Sequence, residues 1–92
     1  MSRIVVTPLE PNRFGVEVTE GEVTTSHKVS VPEEFVDDLN LRDVDLGTVV
    51  EESFAFLLDR EPASAIQGDF PIDQIATRHI DYYDELRTRL NL

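Results

Sequence analysis

"HKVSVPEEFVDDLN", His27–Asn40, changes from one periodicity to another within a single line of sequence. Its first five residues alternate, with His27, Val29 and Val31 on one side and Lys28 and Ser30 on the other, the pattern of a half-buried strand. Pro32 then fits the first position of a helix, where its missing N–H costs nothing, and Glu33 and Glu34 suit the positive end of the helix dipole. Phe35, Val36 and Leu39 recur at helical spacing and turn an apolar stripe toward whatever the strand covers. A strand therefore feeds a short helix here, with strands before this point and helices after it.

Upstream, Ile4 and Val6 alternate with polar neighbours until "LEPN" interrupts them, and "RFGVEV" then alternates again with Phe14, Val16 and Val18 on one face. "TEGE", Thr19–Glu22, reads as a hairpin turn in which Gly21 supplies the positive φ. With Val23–Val31 as a third strand, the first 31 residues predict an antiparallel meander with one apolar and one wet face.

Downstream, Thr48 and Glu51 have the spacing of a capping box and Asp45 is a second candidate cap, so a helix starts between them. Val49, Val50, Ser53, Phe54 and Leu57 give its buried stripe, and Pro62 ends it. After a connector of small residues, Ile72, Ala76, His79, Tyr83, Leu86 and Leu90 recur at spacings of four and three. Asp69 is placed to cap this last helix with Pro71 just inside it, and Asp81 could start a second short helix.

The predicted fold is thus one α+β domain: a three-stranded antiparallel N-terminal sheet over about 3–31, packed against two to four C-terminal helices. The helices are placed at about 32–40, 46–60 and 71–90, the last either continuous or broken near 81.

Composition narrows the function classes. Ninety-two residues suffice for one small core. There is no cysteine, so disulfides and thiolate metal sites are impossible. The longest apolar run, "FAFLL" at Phe54–Leu58, is far too short to span a bilayer, and "MSRIVVTPLEPNR" has no signal-peptide pattern. The expected location is the cytoplasm. Nineteen acidic against eight basic residues give a net charge of −11, a field that opposes both phosphate backbones and anionic membranes.

"KVSVPEEFVDDL", a short turn and "LGTVVEESFAFLLDR" resemble the ribbon-helix-helix family of small DNA-binding regulators and antitoxins over Lys28–Arg60. That resemblance implies two chains pairing strands into a ribbon, with Ser26, Lys28 and Ser30 reading the major groove and the start of the second helix near Thr48 holding a phosphate. The second half, "ESFAFLLDREPASAIQGDFPIDQIATRHIDYYDEL", is also similar to small uncharacterised prokaryotic proteins that share an SF-x-FLL-x-REP stretch and a later aromatic pair. This second resemblance implies no activity.

No catalytic, cofactor or metal site is expected. "DVDLGTVVE" fails as a calcium loop, because Gly47 falls at the fifth position and Phe54 at the twelfth. His27 and His79 stand on apolar sides of different elements, where a lone histidine is ordinarily a hydrogen-bonded core residue. His79 would acquire a chemical role only beside a carboxylate and a cleft. There is no phosphate loop or nucleophile elbow.

The candidate interaction surface comprises four residues. Arg3, Arg13 and Lys28 fall on the wet side of the sheet if Ile4 and Val6 point inward, although a solvated face of mixed charge, including Glu17, gives the same pattern. Tyr82 would point about 100° away from the stripe that holds Tyr83, as an exposed aromatic anchor. The function expected is a non-catalytic protein-interaction or regulatory module with an unidentified protein partner, homodimeric if the last helix has apolar surface to spare. The alternative is the ribbon-helix-helix-like DNA-binding regulator.

Overall fold

A computed structural model describes residues 2–92. Three long strands open the chain: β1 (Ser2–Glu10), β2 (Arg13–Glu20) and β3 (Val23–Ser30). Two-residue turns join them, Pro11-Asn12 and Gly21-Glu22, and Gly21 has φ +62°, the left-handed conformation that glycine adopts without penalty. The register shifts between Pro8 and Glu10, so Leu9 is the extra residue of a bulge near the end of β1.

Helix α1 (Glu33–Asp38) follows, with Pro32 in the cap position, one residue earlier than its expected place inside the helix. It stops at Asn40, whose φ is 59°. Asn40 N–H donates to the carbonyl of Asp37 and Leu41 N–H to that of Val36, the paired bonds of a Schellman cap. The same "LNL" recurs at the C-terminus: Asn91 has φ 60°, and Leu92 N–H donates to the carbonyl of Arg87. A polar residue that tolerates the left-handed region, between two leucines, closes both helices.

Helix α2 (Leu46–Leu58) starts after Asp45, the cap candidate that the structure selects, and the Thr48 hydroxyl donates to the Asp45 carboxylate at 3.0 Å. Val49, Val50, Phe54 and Phe56 are fully buried beneath the sheet.

The expected three-stranded sheet has a fourth member. Asp69–Pro71, expected to begin the last helix, forms β4 and lies parallel to β3, with Lys28 opposite Asp69 and Ser30 opposite Pro71. The sheet is therefore mixed, in the order β1-β2-β3-β4. Two backbone groups reached through the connector fix this edge: Lys28 N–H donates to the carbonyl of Gly68, and His27 reaches the carbonyl of Gln67.

Of the two alternatives for the last helix, continuous or broken near 81, the structure has the break. A single 3₁₀ turn (Ile72–Gln74) runs into α3 (Ile75–Arg78), and α4 (Tyr82–Arg89) starts afresh after Asp81. Phe14, Val16, Val18, Val29 and Phe70 from the sheet meet Phe35, Phe54, Phe56, Tyr82 and Leu86 from the helices in one core. All helices cover one face, and the opposite face of the sheet is open. No helix among the described residues is long and apolar enough to cross a membrane.

Candidate functional site

The open face of the sheet carries the three basic residues singled out by sequence. Arg3 lies opposite Thr19, Arg13 opposite Ser30 and Lys28 opposite Gly15, and strand alternation puts all three side chains on this outer side. They share a face without forming a patch. Arg3 is four rows from Lys28, roughly 13 Å along the strands. Arg13 sits 3.6 Å from Asp69 in an exposed ion pair, and Glu17 stands between the two ends of the array. Over Gly15, where no side chain rises, lies an open depression of about 460 Å³ bordered by Thr7, Leu9, Glu17, Ser26 and Lys28.

The edge of the sheet differs from its face. β1 is nine residues long and hydrogen-bonded on one side only. Ile4 and Val6 point to the same side as the fully buried Val16 and Val18 opposite them, yet remain half-exposed because nothing lies beyond β1. On the outer side Val5 is 40% and Leu9 51% exposed. The other edge is β4, three residues ending in a proline. β3 is interior over Lys28–Ser30, bonded to β2 on one side and β4 on the other.

Tyr82 is not the exposed anchor that the sequence predicts. Its side chain is completely buried, packed on the rings of Phe35 and Phe56 at 6.2 and 5.3 Å. Its hydroxyl donates at 2.6 Å to Ser53 Oγ, which itself donates to the carbonyl of Val49. Burial pushes the Tyr82 hydroxyl well above the ordinary phenol range. The break at His79–Asp81 ends the stripe carried from Ile72, and within α4 Tyr82, about 40° around the helix from the buried Leu86, shares its side more closely than Tyr83, about 60° away in the other direction. The residue the break turns outward is Ile80, 96% exposed. With Ile72, Ile75, Tyr82 and Leu86 all in the core, the last helices have no surplus apolar stripe to offer a second copy.

His27 is buried and fully bonded: Nδ1 donates to the carbonyl of Gln67 at 2.7 Å, which leaves Nε2 to accept from the Thr25 hydroxyl at 2.8 Å in the neutral ring. It fastens the connector to β3 as a core histidine.

His79 has acquired the carboxylate that a chemical role would need. Nε2 lies 2.9 Å from Glu61 Oε2, Arg78 donates to Glu61 Oε1 at 3.1 Å, and the His79 ring stands edge-on to Phe56. The Glu61 side chain is nearly buried. The adjoining hollow, between Leu57, Ile66, Phe70 and Ile75 with Glu61 and Arg78 also in its wall, has a volume of about 20 Å³, room for about one water, and His79 does not line it. Glu61 thus ties the end of α2 to the end of α3, and Arg60 repeats the link by donating to Asp81 at 2.6 Å. Nothing in the sequence signals this pairing, because the partners are 18 residues apart on separate elements.

Glu61→Ala is expected to destabilise the fold by about 1–2 kcal/mol, the cost of two charge-assisted hydrogen bonds discounted for the exposure of Arg78. Urea unfolding measures the loss. An unchanged midpoint would show that the clasp contributes nothing.

No family model, curated protein or solved structure gives a significant match to this chain. Among the described residues, no group of three or more histidines and acids is placed to hold a metal ion.

Proposed function

We propose that the chain is a non-catalytic protein-interaction module of the cytoplasm whose working surface is the free edge of β1. The observation that carries this reading is the unpaired nine-residue edge, with Ile4 and Val6 half-exposed on one side and Val5 and Leu9 exposed on the other. A long edge strand with apolar side chains is a template for another strand, and β-strand addition supplies main-chain hydrogen bonds with alternate side chains as the specificity element. The cysteine-free composition accords with a reducing compartment.

A photo-reactive side chain at position 5, compared with one at position 84 on the exposed side of α4, tests the reading in the native host. Adducts are expected from position 5 and not from 84. Adducts from position 84 alone, or from neither, would overturn it.

The alternative, a ribbon-helix-helix-like DNA-binding regulator, draws on one observation: Arg3, Arg13 and Lys28 share the outer face. It requires affinity for duplex DNA that falls steeply with salt and is lost on Lys28→Ala. Against it stand the net charge of −11 and the ion pair that already engages Arg13.

A further inference from the structure

We propose that the strand received by β1 is β1 of a second copy, antiparallel to the first about a two-fold axis near Val6, so that two four-stranded sheets become one of eight strands. This inference rests on the reading of β1 as the working surface and names its occupant. Three observations carry it.

The first is where the charge lies. Residues 1–32, which build the meander, hold three basic and four acidic residues, whereas residues 33–92 hold five basic and fifteen acidic ones. Two copies meeting through their helices would bring strongly negative surfaces together. Meeting through β1 they join along nearly neutral segments, where self-repulsion is weaker than between the helices, although Asp45 and Glu51 at the start of α2 lie beside Val6 and Pro8.

The second is the arrangement of charge along β1 itself. Arg3 is near its start and Glu10 at its end. Two-fold antiparallel pairing places Arg3 of each copy beside Leu9 and Glu10 of the other, an opposite-charge match made twice, while a parallel pairing would set like upon like. Because the bulge at Leu9 brings Glu10 opposite Arg13, Glu10 lies on the outer side that Arg3 also occupies. Val5 falls opposite Thr7 of the second copy, and the two Val5 side chains approach diagonally at roughly 7–8 Å.

The third is the difference between the two edges. Pairing through β1 covers Ile4 and Val6, the core-facing side chains left half-exposed. β4, three residues long with Pro71 at its end, offers too little ladder to bind a further chain, so the two-fold pair closes on itself and does not grow into a filament. Pro8 lacks an N–H and limits the new ladder mainly to Arg3–Thr7.

The experiment is the solution mass of the purified chain, by light scattering after size exclusion, from about 1 μM to about 1 mM. The mass is expected to rise from 10.4 kDa toward twice that value. Val5→Lys and Val5→Glu, both at an outer-face position that the core does not use, are each expected to weaken pairing by up to about fivefold by diagonal like-charge contact. An equimolar mixture of the two variants is expected to pair again. A mass of 10.4 kDa throughout would overturn the inference, and so would a dimer indifferent to both substitutions. Should the chain stay monomeric while position 5 cross-links to a different protein, self-pairing is wrong and the interaction-module reading stands. With no adducts at position 5, both fall.

Discussion

Tyr82→Ala is expected to lower the unfolding free energy by about 3–5 kcal/mol, the usual cost of removing a fully buried aromatic ring. Small domains of this kind have about 5–15 kcal/mol in total, so the variant should lose a large share of its stability. The ring is the meeting point of α1, α2 and α4, stacked near Phe35 and tilted against Phe56, and neither neighbour can fill the space without leaving its own place. Tyr83→Ala, half-buried and one position on, should cost only about 1–2 kcal/mol. Urea midpoints of the two variants decide the matter, and equal midpoints would refute the assignment of Tyr82 to the core. Any loss of partner binding in Tyr82→Ala would then be secondary to unfolding.

Alkaline pH should unfold the protein through the same residue. The Tyr82 hydroxyl is held protonated in the folded chain, its pKa raised by burial, while in the unfolded chain it ionises near the ordinary value of 10.0. Below about pH 10 both states carry the proton and stability is independent of pH on this account. Above that, the unfolded state loses its proton first, so it binds fewer protons than the folded state and stability falls as pH rises. The slope approaches about 1.4 kcal/mol per pH unit for one tyrosine. Tyr83, also raised in the folded chain chiefly by desolvation, adds a smaller effect because much of it is in water. The measurement is the urea midpoint at a series of pH values from 8 upward, for the wild type and Tyr82→Phe. The variant should lose less stability across the alkaline range, and parallel curves would show that Tyr82 titrates alike in both states.

The strands of the meander were legible because alternation is a local signal: Phe14, Val16, Val18, His27 and Val29 are all inward, as their period requires. The residues of α2 that face the core were legible for the same reason. β4 was not, because a three-residue strand has too few positions to show a period. Its first and last residues, Asp69 and Pro71, also imitate a helix start. The exchange of Tyr82 and Tyr83 has a related origin. Spacings of four and three continue through "RHID" in the sequence, whereas the backbone interrupts the helix there and restarts it with a different phase. The free edge of β1 could not be read at all. Sequence marked Ile4 and Val6 as inward, and that nothing lies beyond them depends on the order of strands in space. The Glu61–His79 contact was hidden likewise, since its partners stand 18 residues apart with β4 between them.

The uneven division of charge between the two layers also makes the molecule an electric dipole, with its negative pole in the helices and its sheet comparatively positive. Near any anionic neighbour, including another copy of the chain, the field exerts a torque that turns the helices away and presents the sheet. At physiological salt this torque acts only within about 8 Å, so it leaves diffusion unaffected and selects among orientations in the final approach. The molecule would thereby spend more of each collision with the open face of its sheet toward its neighbour than chance allows.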